Sequence, residues 1–505
     1  MLADLLPPFP VLVALGLVST VFAAIFNHIQ TNNRLKRLGV RARKRDDYNP
    51  LFLGADVVWN GVQSGKVNKT IDNWFDGFKT NSTGTAEFTI LGYFRVLMTM
   101  DPENIKAILA TQFNDFGKGE RFHHQWKEFL GDSIFATDGQ MWHNSRQLIR
   151  PQFLKERIAD LHTFERHIQE MFKYLPVDGS PVDIADFFYR YTLDNATDFL
   201  LGHSVGSLHN PKARFADAFQ YIQRFQNNIA RSGPFWRLWN RKKYNEEIQV
   251  LNDFVNPFVE TTLQMKPEDL KPKTDTEYNF LHALAEFTTD RTILRDQLVA
   301  VLLAARDTTA ATMSWLFHEI STRPDVVKKI RAEILEIVGP TDTPTYAQLK
   351  DCKYLMHVIN ETLRLYPAVP FNVRTALKDT VLPRGGGDNG MEPIAILKGT
   401  DVSYSTLCMQ RREDIFGPDV NEFKPERWET WTPKSWQFIP FNGGPRICIG
   451  QQFAYTEIQY TLVRLFQKVE SVEERMGGRK QELKAEVVIT PAYPVMVALN
   501  PAKSQ

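Results

Sequence analysis

The sequence predicts a mainly α protein with a small β region. Residues 164–287 form a succession of amphipathic stretches, with polar breaks at Asp178-Gly179, Ser232-Gly233-Pro234 and residues 271–276. A longer apolar stretch then runs without a breaker from a cap near Thr289 or Asp290 to Pro324, while β-type segments are short and come in pairs. With 505 residues, 43% of them hydrophobic, the chain is long enough to bury a substantial core. Its 60 Lys and Arg against 59 Asp and Glu leave a formal charge of +1, so no global basicity points to nucleic acid. The cysteines, Cys352, Cys408 and Cys448, are too few and scattered for a disulfide framework and suit a reducing compartment.

Taken in order, the first element is an apolar run from Phe9 to Phe26, followed by Arg34, Lys36, Arg37, Arg41, Arg43, Lys44 and Arg45. The run is on the short side of the roughly 17 to 25 residues that span a bilayer, but residues 2–6 extend it. The one-sided charge after it places the bulk of the chain on the cytoplasmic side. A cleaved signal peptide is the rival reading, and the lack of a cationic segment before the run stands against it. A buried core helix fits less well, because the run is apolar on every side.

Residues 57–78 and 102–112 read as helices, and 87–90 with 95–98 as a strand pair. Residues 113–122 read as a loop carrying Phe113 and Phe116. The helix after it holds Trp142 and Arg146 four apart, hence on one face, as a donor pair for a carboxylate; a Trp stacked on a surface Arg is the alternative. His123, His124 and His143 have no metal-type cluster around them and read as solvated or structural.

In the long helix, Ala304 and Thr308 lie one turn apart with Ala305 beside them, a small-residue face against which a flat group could lie. Thr308 can bond the carbonyl four residues back, and Asp307 is costly in this apolar setting unless paired or wetted, which suggests a proton path. A core helix with a solvent-reaching Arg306–Asp307 pair is the alternative. Glu361 and Arg364, three apart on a helix over 354–366, and Arg427 of Pro425-Glu426-Arg427-Trp428 read either as a surface ion pair of little weight or as a buried clamp. Residues 368–376 are extended, with Val369, Phe371 and Val373 as candidate substrate contacts. Gly385-Gly386-Gly387 reads as a turn between strands over 380–383 and 393–397, since no helix or Lys-Ser/Thr follows it. Residues 487–499 read as closing strands, with Pro491, Ala492, Tyr493 and Val495 reaching toward a pocket.

The most informative stretch is Phe441-Asn442-Gly443-Gly444-Pro445-Arg446-Ile447-Cys448-Ile449-Gly450. A helix over 449–466 puts the Cys448 sulfur at a helix N-terminus, which favours a thiolate. Gly443, Gly444 and Gly450 allow positive φ and a close approach to a flat ligand, Pro445 stiffens the turn, Phe441 offers a ring to the sulfur, and Arg446 offers a cation. A soft axial ligand beside an anion partner suits a heme with propionates. The alternative is a buried structural cysteine in a glycine-rich turn.

The pattern Phe441-x-x-Gly444-x-Arg446-x-Cys448-x-Gly450 resembles the heme-binding signature of cytochromes P-450. Trp142/Arg146, residues 304–309, Glu361/Arg364 and Arg427 resemble further motifs of that family, in its order, with Ala305 where a Gly is usual. Residues 441–454, the Asn372-Val373-Arg374-Thr375-Ala376 stretch and the triple glycine look like fungal membrane-bound alkane and fatty-acid hydroxylases. The resemblance implies a cytochrome P-450 fold with an anchor over 1–30, a basic linker over 31–50 and a catalytic domain over 51–505, on the cytoplasmic face of the endoplasmic reticulum. It implies heme b with Cys448 as axial iron ligand, and Arg446, Trp142, Arg146, Arg374, Phe441, Gly444, Gly450 and Ala304 around the heme. It also implies Thr308 and Asp307 as catalytic residues, Glu361, Arg364 and Arg427 as structural ones, and Phe116, Val369, Phe371, Val373 and Tyr493 toward the substrate. The implied activity is hydroxylation of a long-chain aliphatic substrate with dioxygen. No flavin or dinucleotide segment occurs, so the electrons of NADPH would come through NADPH–cytochrome P-450 reductase, with cytochrome b5 as a further partner and Arg411 and Arg412 as contacts for an acidic surface. Oxidation of a fungal secondary metabolite, a reductase-independent heme-thiolate isomerase or dehydratase, and a heme-binding sensor are the alternatives.

Overall fold

The computed structural model describes residues 26, 29–78, 83–90, 94–154, 161–211, 214–270 and 279–502. The apolar run that ends at Phe26 lies, that residue apart, outside them, as does the polar break at 271–276. Among the described residues no helix is long and apolar enough to cross a membrane. The chain forms two compact units, one from residues up to 64, 72–117 and 373–405, the other from 65–71, 118–372 and 406 onward.

The first unit carries the main sheet. Its strands are β1 (Thr85–Ile90), β2 (Phe94–Thr99), β3 (Phe116–Gly117), β4 (Phe371–Ala376) and β7 (Asp401–Ser405), in the order β1-β2-β7-β4-β3, with a separate hairpin of β5 (Thr380–Gly386) and β6 (Glu392–Ile396). β1 and β2 are antiparallel with Glu87 opposite Leu97, and β2 runs parallel to β7. β5 runs on through Gly385 and Gly386, so of the triple glycine expected as the turn only Gly387 lies beyond the strand.

The basic segment 31–50 is docked on this unit. Residues 29–38 are helical, and Leu35 is buried against Ala395 and Leu397. Arg34 donates to both oxygens of Asp379 at 2.8 and 2.7 Å, and Arg41, Lys44 and Arg95 surround the buried Glu87. Burial would push the Glu87 carboxyl up, but the three cations outweigh it and hold its pKa low.

The second unit is helical: α1 (Gly119–Leu130), α2 (Gly139–Ile149), α3 (Ile184–Leu201), α4 (Arg214–Arg231), α5 (Arg291–Ile320), α6 (Lys353–Leu365) and α7 (Gln451–Lys468) carry the groups discussed below. Helix α5 starts at Asp290, whose carboxylate accepts from the Thr292 and Ile293 amides, and its 30 residues span on the order of 45 Å. It lies between α3 and α7, with the ring of Phe317 edge-on to Phe188 and stacked on Phe466. A three-stranded sheet (Pro181–Asp183, Met496–Pro501, Val469–Glu474) and the pair Leu483–Ala485/Ile489–Pro491 close the chain.

Local periodicity misplaces some boundaries. The loop expected over 113–122 is a 3₁₀ turn, then β3, then α1 from Gly119, because the distant Asp138 carboxylate accepts from the Lys118 and Gly119 amides and supplies the missing cap. The single helix expected over 57–78 is two, Ala55–Lys66 and Thr70–Asp76, separated by Asn68 at φ +57. Residues 102–112 pass from α-helix into a π-turn at Ala107–Thr111.

Candidate active site

The cysteine loop closes on itself. The Cys448 amide donates to the Phe441 carbonyl at 2.9 Å, and the Phe441 ring packs on Tyr455 of α7, 4.9 Å between centroids. Of the three glycines expected at positive φ only Gly444 has it, at +65; Asn442, at +64, is the loop's other left-handed residue. Gly443 is required for space instead, since a Cβ there would lie 2.4 Å from the Trp436 ring.

The Cys448 thiol is reachable by solvent yet crowded by protein. Burial pushes its pKa up, while the Gly450 N–H and the Arg146 guanidinium pull it down. The helix-terminus effect expected from the sequence is therefore present in the Gly450 N–H, but desolvation is larger, because α7 begins only at Gln451 and the sulfur sits before its first turn.

Three donors gather on this loop from two elements. Arg446 donates to Asp138 at 2.6 Å and to the Thr137 carbonyl at 2.9 Å, and its guanidinium lies 4.6 Å above the Trp142 ring. Arg146, one turn along α2 from Trp142, donates to the Ile447 carbonyl at 3.1 Å. The Trp-x-x-x-Arg face of α2 thus belongs to the cysteine loop, and the alternative of a surface stack falls away.

Helix α5 has the complementary feature. From Asp296 to Phe317 every residue is buried except Ala304, Ala305 and Thr308. These three share one face, so the otherwise enclosed helix is only half-buried at two alanines and a threonine, with Ala305 still packed against the neighbouring core. Thr308 Oγ1 donates to the Ala304 carbonyl at 2.7 Å, as the sequence predicts, within a helix that Ala305 leaves continuous. Asp307 is buried and faces Arg306 at 3.5 Å, and Arg306, itself buried, lies 5.8 Å from the Tyr189 ring. The alternative of a solvent-reaching pair is excluded. A solvent-reached thiol, two guanidinium groups, an indole and a half-buried small-residue face are a set that fits an iron porphyrin with carboxylate side chains.

Glu361, Arg364 and Arg427 are all buried. Arg364 forks onto both Glu361 oxygens at 2.9 and 2.8 Å and donates to the carbonyls of Gln410, Val420 and Glu422; Arg427 lies 3.5 Å from Glu361. Gln410, which the sequence did not single out, passes the clamp on: its amide donates to the Leu363 and Arg364 carbonyls and its oxygen accepts from the Ile439 amide, two residues before Phe441.

Other predicted residues are dispersed. Phe116, Val373 and Arg374 belong to the first unit, where Arg374 is buried against Tyr404. In the second unit Val369 and Phe371 are half-buried, and Tyr493 packs under Arg479 with its backbone bonded to Gln481. Arg411 does not present a charge to a partner: it is spent on the Leu365 carbonyl and the Tyr366 ring, and Arg412 forks onto Asp414. Missed by sequence reasoning are Asp138, which holds Arg446, and the cluster of Ala311, one turn beyond Thr308, with Ala368 and Val488. Only the apolar character of 487–488 hinted at the latter.

Residues 53–499 match the family model described as Cytochrome P450. Cytochrome P450 monooxygenase pvhE of Talaromyces variabilis is 44% identical over 95% of this chain and 93% of its own. Cytochrome P450 52A4 of Candida maltosa is 43% identical over 78% of this chain and 77% of its own, and cytochrome P450 52A13 of Debaryomyces hansenii 43% identical over 75% and 76%.

Proposed function

The chain belongs to the cytochrome P450 family and is a heme-dependent monooxygenase, and on that premise we propose that it hydroxylates a long-chain n-alkane or fatty acid with electrons passed from NADPH by a separate reductase. The heme, when bound through a cysteine thiolate, supplies the activation of dioxygen and the oxidation of an unactivated C–H bond. The observation that carries the proposal is the half-buried Ala304/Ala305/Thr308 face on a helix buried everywhere around it. The aliphatic substrate class is supported by the resemblance of residues 441–454 to fungal alkane and fatty-acid hydroxylases and by the small apolar cluster of Ala311, Ala368 and Val488 beyond Thr308.

In this reading Cys448 is the iron ligand, and Arg446, Trp142 and Arg146 take the heme carboxylates. Phe441, Gly444 and Gly450 shape the loop, and Ala304 leaves room for the ring. Thr308 Oγ1 gives its hydrogen to the Ala304 carbonyl, so its lone pairs are free to accept a hydrogen bond from a water and hold that water as the proton donor. Asp307, held by Arg306, replenishes that water. Glu361, Arg364 and Arg427 keep the loop's approach in place. The apolar run to Phe26 anchors the catalytic domain, residues 51–505, to the endoplasmic reticulum membrane on its cytoplasmic face, where reductase, cytochrome b5 and a lipid-dissolved substrate are met.

The test is product analysis of the purified holoenzyme with NADPH–cytochrome P-450 reductase and n-alkanes and fatty acids of graded length. Hydroxylated product that requires both NADPH and reductase is expected. No product at any length, or turnover of peroxide-bearing lipids without NADPH, would overturn the assignment.

A further inference from the structure

Asp138 stands at the N-cap of α2, in the extended conformation of a capping residue, yet its side chain makes no cap bond to that helix. Its two oxygens serve other segments. Oδ1 accepts from the Lys118 amide at 2.8 Å and from Arg446 at 2.6 Å, and Oδ2 accepts from the Gly119 amide at 2.8 Å. Lys118, at the N-cap of α1, has no acceptor in its own side chain, and Gly119 opens the helix at φ +78. Asp138 therefore forgoes the cap of α2 and joins the amides that open α1 to the arginine of the cysteine loop.

Both ends of this bridge bear on the site. The Arg446 side chain is 7% exposed, and the same guanidinium nitrogen that meets Asp138 also donates to the carbonyl of Thr137, a residue pinned by its hydroxyl to the Ser133 carbonyl at 2.8 Å. At the other end, α1 carries Trp126, Phe129 and Leu130 into the apolar cluster that holds Leu298 and Val301 of α5 and against which Ala305 packs. An Asp carboxyl turns easily about its last torsion, and an amide on each oxygen fixes its plane. Oδ1 is then aimed at Arg446, with the short contact of a charge-assisted bond. We propose that Asp138 is a positioning residue for the heme: the opening amides of α1 orient its carboxylate, the carboxylate orients Arg446, and the start of α1 and the seat of a heme carboxylate are set together. This rests on the role proposed for Arg446.

The experiment measures the rate of heme transfer from purified holoenzyme to an acceptor apoprotein. Lys118→Pro deletes one of the two amide donors at a residue whose φ of −73 proline accepts, after the extended Gly117. Lys118→Ala removes the same side chain and keeps the amide. Lys118→Pro should speed transfer about three- to tenfold over Lys118→Ala, a fraction of the effect of losing a charged hydrogen bond outright. In an Asp138→Ala background the change from Ala to Pro at 118 should be silent to within about twofold, the usual scatter of such cycles. A merely structural loss at the start of α1 would persist there. The Arg446→Leu background should be silent in the same way, and it carries this arm if Asp138→Ala takes up no heme. Equal rates for Lys118→Pro and Lys118→Ala, or an effect that persists in either background, would overturn the proposal. Transfer left unchanged by Arg446→Leu alone would overturn the carboxylate role of Arg446 on which the proposal rests, so the two failures are told apart.

Discussion

A cysteine that solvent reaches but burial keeps protonated is a weak nucleophile, and a metal that displaces its proton relieves the cost. The structure pairs this sulfur with cations whose geometry is fixed elsewhere. Arg446 is held by Asp138, Thr137 and Trp142, so the heme carboxylate proposed for it would meet a guanidinium that is already ordered. Arg446→Leu should speed heme transfer to an acceptor apoprotein by about 10- to 100-fold, from roughly 1.5 to 3 kcal/mol for a hydrogen bond to a charged group. Thr308 is set apart by its hydroxyl, already committed to Ala304 and therefore oriented. Thr308→Ala should lower product formation on the order of 10²-fold while NADPH consumption continues, measured as product per NADPH. Unchanged coupling would remove Thr308 from the proton path.

At the scale of elements, the clamp between α6 and the segment 410–428 decides whether the cysteine loop has a fixed approach. Arg364 spends five hydrogen bonds there, and Glu361 also accepts from the Lys424 amide and the Trp428 indole. Arg364→Leu leaves a buried carboxylate short of its main partner and should cost about 3 to 5 kcal/mol, seen as a large fall in thermal midpoint or as failure to load heme. The helix ends were legible where the signal is local, with Asp290 as cap and Tyr366-Pro367 as stop, whereas Pro324, expected to end α5, opens the next helix after α5 has ended at Ile320. Most of the loop's chemistry was legible too, because Gly444, Arg446 and Cys448 act within one short stretch. What local patterns cannot carry is a partner far along the chain. The start of α1 depends on Asp138, the space behind Gly443 is taken by Trp436, and the link from Arg364 to Ile439 runs through Gln410. The same limit misread Arg411, whose charge faces inward to a carbonyl.

For the whole molecule, the basic residues after the apolar run serve the fold as well as any membrane. With Arg34 on Asp379 and Arg41 and Lys44 on Glu87, the segment after the apolar run is strapped into the first unit. If the proposed anchor holds, removal of residues 1–26 should therefore release the protein from membranes with little loss of thermal stability, whereas Glu87→Gln should lower it by about 1 kcal/mol or more, as the buried Arg95 loses its counter-ion. The two features on which the proposed chemistry rests, a solvent-reached thiol and a half-buried small-residue face on α5, both belong to the second unit. The most direct measurement is the absorption spectrum of the purified, dithionite-reduced protein under carbon monoxide, for wild type and Cys448→Ser. A red-shifted thiolate-type Soret band in wild type that vanishes in the Ser variant is predicted; a colourless wild-type protein, or a band that survives the loss of the sulfur, would contradict the account.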